Sequence, residues 1–181
     1  MRMTLKGLLP LIGFLLIVGA FAIRLTSGEN TRDLPSQLID RPFPDFSLPD
    51  LFDEKNSIDN SYFQGQIVLV NIFGSWCVAC DQEHPMLMRL AREKEIVLLG
   101  VDWRDTREKG LRWLARGGNP YTRTIFDEHS TLAIDLGVTG APESFIVDKK
   151  GQIRYKYIGP ITEDVWRETL RPLVQILEAE Q

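Results

Sequence analysis

The chain has 181 residues, 44% of them hydrophobic, enough for one compact domain with an appendage. Its 25 acidic and 21 basic residues leave a net charge of −4 with no basic stripe, which argues against a nucleic-acid partner. Neither an internal repeat nor a low-complexity tract is present.

The N-terminus reads as a membrane or export signal. Arg2 and Lys6 precede an uncharged run over residues 7–23, which Arg24 closes. At about 17 residues the run sits at the lower edge for spanning a bilayer and slightly beyond a signal-peptide core. Its length favours an uncleaved anchor, while Ala20-Phe21-Ala22 resembles a site for cleavage after Ala22. The leading positive charges favour an N-in orientation that exports the rest. The expected organisation is an anchor or signal over 1–25, a linker over 26–39 and a domain over 40–181.

Arg41 to Asp50 carries three prolines among spaced apolar residues. It predicts an edge strand or extended arm, because proline cannot donate to a central ladder. Ser61 to Gln66 predicts a turn, and Val68 to Phe73, apolar and β-branched, a buried strand. Gly74-Ser75 breaks that strand, and Cys77 and Cys80, the only two cysteines, follow. Beyond them Glu83, Met86, Leu87, Leu90 and Ala91 recur at helical spacing. Ile96 to Val101 predicts a parallel neighbour strand. Asp105 to Arg116 predicts a helix with Leu111 and Leu114 inward, ended by Gly117 to Pro120. A short strand around Thr124 to Phe126 and a helix near Thr131 to Leu136 come next. Ser144 to Asp148 and Gln152 to Tyr157 flank Lys149-Lys150-Gly151 as a hairpin. Thr162 caps a last helix, with Glu163 and Asp164 in its first turn. Pro172 inside that pattern predicts a kink or restart. The order β-α-β-α-β-α-β-β-α predicts an α/β fold, a mixed central sheet with helices on both faces.

The chemistry concentrates at Cys77-Val78-Ala79-Cys80. A strand that turns into a helix there places the first sulfur at the helix N-terminus. Unpaired N–H groups and the macrodipole then favour thiolate over thiol. Cys80, about one turn on, lies within reach for a small disulfide ring, which makes the pair a redox dithiol. Two other readings stand beside it. A structural disulfide usually joins distant segments, because a longer loop restricts the unfolded chain more. A metal site would recruit His84 at i+4 from Cys80. Zinc wants four ligands and finds no second Cys/His pair here, whereas copper suits soft thiolates.

Trp76-Cys77-Val78-Ala79-Cys80, Pro85 in the following helix, and Gly140-Ala141-Pro142 before a strand together resemble the thioredoxin fold. In that fold the proline before the strand is cis and faces the C-x-x-C. The Pro-rich arm and exported context are similar to the membrane-anchored branch that includes TlpA and ResA. Trp-Cys-x-x-Cys-x-x-Glu-His through Glu83 and His84, with Gly137-Val138-Thr139-Gly140-Ala141-Pro142-Glu143-Ser144-Phe145, resembles more specifically the CcmG/DsbE family of cytochrome c maturation. The likeness covers Asp40 to the C-terminus.

The resemblance implies an extracytoplasmic thiol–disulfide oxidoreductase that acts as a reductant and needs no bound cofactor. Its partners would be an apocytochrome c or a cytochrome-maturation thiol protein, and a membrane electron donor of the CcdA/DsbD type. It would be single-pass in the inner membrane, the domain facing the periplasm. A general TlpA-type disulfide reductase and a non-enzymatic copper carrier remain open.

Cys77 is expected to attack from an exposed helix end and Cys80, more buried, to resolve the mixed disulfide. Thioredoxin has a buried aspartate where this chain has Asn71, so proton handling is expected to move to Glu83, one turn beyond Cys80. Family members often place proline between the cysteines, where this chain has Val78-Ala79. Trp76 either shields the site or is an ordinary core aromatic. Pro142 presents the Ala141 backbone to a bound peptide strand, or is a routine turn proline. Glu83 and Glu143 tune the thiols or select partners, or are solvated surface carboxylates. His84 and His129 are read as bystanders, and Trp103-Arg104-Asp105 has no position that the sequence assigns.

Overall fold

The computed structural model describes residues 5–26 and 37–180. The chain divides into two units, Met1–Leu34 and Pro35–Gln181. In the first, α1 (Leu5–Thr26) exposes Leu11, Phe14, Leu15, Leu16, Ile17 and Phe21. Among the described residues no helix is long and apolar enough to cross a membrane. The expected linker lies largely outside the described residues.

In the second unit the proline-rich arm divides into β1 (Arg41–Pro42) and β2 (Ser47–Pro49). β2 pairs antiparallel with β3 (Ser57–Asp59) in a sheet of its own. The expected turn is a 3-10 helix, Asn60–Phe63, capped by the Asp59 carboxylate on the Ser61 N–H. β4 (Val68–Phe73) is buried along its whole length, as a strand covered on both faces must be. α2 (Val78–Glu93) follows, then β5 (Val97–Trp103), α3 (Arg107–Gly117), β6 (Arg123–Asp127) and α4 (Thr131–Asp135). The hairpin is β7 (Glu143–Val147) and β8 (Gln152–Ile158).

The main sheet runs β1-β8-β7-β4-β5-β6. β4 lies parallel to β5 and antiparallel to β7, so the sheet is mixed as expected. Side chains alternate across it. Leu69 and Phe73 join a core with Leu87 and Leu90 of α2, Trp113 and Trp166, while Val68, Val70 and Ile72 join Phe145 and Ile153 in another. Asn71 falls in step with Leu69 and Phe73 and is carried to the α2 side.

Thr162 caps the final helical segment through the Val165 N–H at 3.3 Å. Pro172 interrupts it as expected, in a specific way. After α5 (Glu163–Val165), a π-helical turn spans Trp166–Leu170, with the Arg171 N–H bonded to the Trp166 carbonyl. α6 (Arg171–Ala179) then restarts with the proline at its head, where no N–H is needed.

Arg154 on β8 gathers both ends of this unit. It pairs with Asp40 at 3.0 Å, Asp148 at 3.2 Å and Glu180 at 3.1 Å. Lys149 Nζ donates to the Glu178 and Glu180 carbonyls, each at 3.0 Å.

Candidate functional site

At the head of α2, Cys77 and Cys80 are joined by a disulfide, their Cα atoms 5.3 Å apart. Cys77 is the helix cap, its sulfur accepting the Cys80 N–H at 3.1 Å. That contact corrects the expectation of an exposed Cys77. Its sulfur turns inward to the helix start, leaving the residue 5% exposed, against 1% for Cys80.

Trp76 is no core aromatic, being 49% exposed. It stands edge-on to Trp103 at 5.7 Å, its indole N–H donating to the Trp103 carbonyl at 3.1 Å. The Ser75 N–H donates to Asp105 Oδ2 at 2.7 Å. The segment Trp103 to Asp105, which the sequence left without a position, therefore frames the turn that carries Cys77. Gly74 is required in that turn, since a Cβ there would lie 2.5 Å from the Trp76 indole nitrogen.

The Ala141–Pro142 peptide bond is cis. Ala141, half-buried, packs against the core that includes both cysteines. Glu143 is no solvated surface carboxylate. It is 0% exposed, because the loop before β7 folds over it. Its Oε1 accepts the Thr139 N–H at 2.7 Å, the Thr139 hydroxyl at 2.6 Å and the Gly140 N–H at 3.0 Å. Lys156 Nζ sits 2.9 Å from its Oε2 and also donates to the Gly137 carbonyl. Glu143 thus fixes the backbone that leads into Ala141-Pro142.

Glu83 is likewise no surface carboxylate, at 1% exposed. It projects from the inner face of α2, accepting the Asn71 side-chain N–H at 2.9 Å and the Ile161 N–H at 2.9 Å. Both bonds favour the charged form, but burial dominates and pushes its carboxyl up to about 7. Asn71 also donates to Ser144 Oγ at 3.0 Å and accepts the Tyr121 hydroxyl at 2.6 Å. Tyr121 and Ile161 go unmarked in the sequence, and Ser144 stands out there only as a strand and motif residue, not as a partner of Asn71. They come from three different segments.

His84 Nε2 lies 3.1 Å from the Gly117 and Gly118 carbonyls, and its ring stands edge-on to Trp113. His129 is exposed. Among the described residues no three His, Cys, Asp or Glu side chains are grouped to hold a metal ion. What the arrangement offers is a disulfide at a helix N-terminus, with a carboxyl held near neutrality on the buried face of the same helix.

The protein family described as Redoxin matches residues 39–171. The thiol:disulfide interchange protein DsbE of Allochromatium vinosum is 44% identical over 169 residues, covering 93% of this chain and 92% of that one. The protein of the same name from Haemophilus influenzae is 41% identical, with 99% and 100% covered. Among solved structures, a secreted thiol-disulfide isomerase from Corynebacterium glutamicum superposes with a TM-score of 0.63 at 28% identity, covering 74% of this chain and 85% of that one. A C-x-x-C disulfide at a helix head, a cis-proline loop and relatives matched over nearly their full length place the chain in the redoxin-domain DsbE (CcmG) family of thiol:disulfide interchange proteins, and make it a thiol–disulfide oxidoreductase.

Proposed function

We propose that the protein reduces disulfides outside the cytoplasm during cytochrome c maturation, acting on an apocytochrome c or a maturation thiol protein. Cys77 thiolate attacks one sulfur of the substrate disulfide, and the other sulfur leaves as a thiolate that takes up a proton. Cys80 then loses its proton and attacks Cys77 Sγ, displacing the second substrate sulfur. Two electrons pass to the substrate and the Cys77–Cys80 disulfide remains. A membrane thiol donor of the CcdA/DsbD type restores the dithiol. Glu83 is assigned the proton of Cys80, supported by its place one turn beyond Cys80 on the buried face of α2, where burial holds its carboxyl near 7. Trp76 and the Ala141-Pro142 edge receive the substrate as an added strand. The DsbE name of the relatives supports the cytochrome role.

The segment over 1–25 is proposed to hold the domain at the inner membrane, 26–39 to be its tether, and 40–181 to face the periplasm. The exposed apolar side chains of α1 support attachment. Carbonate extraction of membranes and N-terminal sequencing of the mature chain test it. A chain released by carbonate, or beginning after Ala22, removes the anchor.

Trapping tests the function. Cys80→Ala removes the resolving thiol, so cells expressing it should accumulate a few covalent adducts that dissolve on reduction, an apocytochrome c or a maturation thiol protein among them. The electron donor should be trapped less often, since it attacks the oxidised dithiol, which this variant cannot form. A broad ladder of unrelated secreted proteins would replace this reading with general disulfide reduction. No adducts, with stoichiometric copper(I) on the parent protein, would replace it with copper carriage.

A further inference from the structure

A second buried acid lies behind the disulfide turn, and the reaction as described does not use it. Asp102, in register with Phe73 of β4 and Phe126 of β6, is 0% exposed. Among the described residues no N–H or O–H donates to either of its oxygens. α3 makes room for it at Gly110, where a Cβ would stand 1.9 Å from Asp102 Oδ2. Its neighbour across the end of the strand is Asp105, 7% exposed, whose carboxylate raises the affinity of Asp102 for a proton. Asp105 is the group that accepts the Ser75 N–H, at 2.7 Å, and it also takes the Thr106 N–H at 2.8 Å. Two ionised carboxylates so placed repel one another, with no donor to relieve Asp102. With one proton between them they close a carboxyl–carboxylate hydrogen bond.

The surroundings favour that proton. Burial first, then the charge of Asp105, push Asp102 up to about 8. Arg107 of α3 acts in the opposite sense. Its guanidinium is committed elsewhere, to the Asp50 and Leu51 carbonyls and to Glu54. Tyr121, between α3 and β6, is itself pushed up by burial and by the charges of Glu83 and Asp102. β4 and β6 contribute only the rings of Phe73 and Phe126 at this register.

We propose that Asp102 and Asp105 form a proton-sharing carboxyl pair that positions the Ser75–Trp76–Cys77 turn, so that proton loss from the pair opposes thiolate formation at Cys77. Asp105 is the positioning residue, holding the turn through Ser75. Asp102 carries the proton that keeps Asp105 from meeting a second anion. When the pair loses it, a negative charge appears behind the turn and disfavours another on the Cys77 sulfur. The two titrations are therefore linked. The inference rests on Cys77 being the attacking thiol.

Alkylation of the reduced protein between pH 6 and 10 tests it, with the modified cysteine located by mass spectrometry. The parent, Asp102→Asn and Asp105→Asn are compared. Asp102→Asn keeps a neutral donor toward Asp105, so Cys77 should titrate in one step, about half a pH unit below the broadened parent curve. Asp105→Asn removes the charge that adds to burial at Asp102, so the inflection that Asp102 imposes on Cys77 should move to lower pH. Carbon-13 carboxyl shifts of the unsubstituted protein, with labelled aspartate, should show one aspartate ionising near 8. Parent and Asp102→Asn curves that superimpose, or aspartates that are all ionised at pH 6, would overturn the pair. If Asp102→Asn does not fold, the carboxyl titration decides alone. If Cys80 is the faster thiol, the assignment of Cys77 fails, and the same titration still decides for or against the pair.

Discussion

Asn71 donates its side-chain N–H to Glu83 at 2.9 Å, binding the central strand to the helix that begins at the disulfide. Where an aspartate would set a second anion against a buried carboxyl, the amide offers a donor. The charged form of Glu83 is thereby supported without a cation, yet burial still holds the carboxyl near 7.

Glu83→Gln should slow release of product by about 10²-fold in single-turnover reduction, and should erase an inflection near pH 7. The initial attack by Cys77 should change far less. Rapid-mixing kinetics from pH 6 to 9 separate the two steps. Equal release rates for parent and variant would leave Glu83 without a role in the chemistry.

The same residue imposes a pH dependence on stability. Its folded value, about 7, lies above the ordinary 4.5, so the folded protein holds a proton that the unfolded chain gives up. Stability should then fall as pH rises from about 4.5 to about 7, with the full cost present above that window. The cost is about 3 kcal/mol for a shift of this size. Urea unfolding at pH 4.5 and 8 should show a steeper fall in the parent than in Glu83→Gln, where the raised Asp102 carboxyl still contributes its own fall. The glutamine NH2 will face the Asn71 or Ile161 donor, which costs about 1–3 kcal/mol at every pH.

Glu143→Ala strands Lys156, 7% exposed at its side chain, and frees the Thr139 and Gly140 N–H groups. A loss of about 3–5 kcal/mol is expected from denaturant midpoints. The double variant Glu143→Ala, Lys156→Met should recover part of it. No recovery would place the cost in the loop before Pro142 and not in the buried charge.

Trp76→Ala removes a half-exposed ring and one hydrogen bond to Trp103. Stability should drop by only about 1 kcal/mol. The kcat/KM for a disulfide-bonded peptide should fall about tenfold, while exchange with a small dithiol stays within about twofold. A parallel fall for both would make Trp76 a support of the cysteine turn and not a contact surface.

The elements with strong local periodicity were legible in the sequence. β4, α2 and the β7–β8 hairpin lie where their apolar patterns and turn residues put them. The network around Glu83 was not, because its partners are remote along the chain. Tyr121 reaches Asn71 across 50 positions, and Ile161 reaches Glu83 across 78. Glu143 was misjudged because glutamate is usually exposed, and only the folded loop supplies the donors that let it be buried. Asp102 hid for a related reason. A charged residue closing an apolar run reads as the strand's exit into solvent, and the space that accepts it exists only where Gly110 of α3 packs above.

The Arg154 cluster has a mechanical consequence. Asp40 and Glu180, the chain's points of arrival and departure, meet on one guanidinium near Ile153, in a register row that runs through Val147 to Val68 at the start of β4. The disulfide follows the other end of that strand, roughly 17 Å along it. A pull transmitted from upstream of Asp40, or from an attachment after Glu180, is taken up by the β1–β8 edge and its ion pairs before it can strain the cysteine turn. Either end therefore serves as a handle, for immobilisation on a surface or fusion to another protein, that leaves the reactive face unloaded.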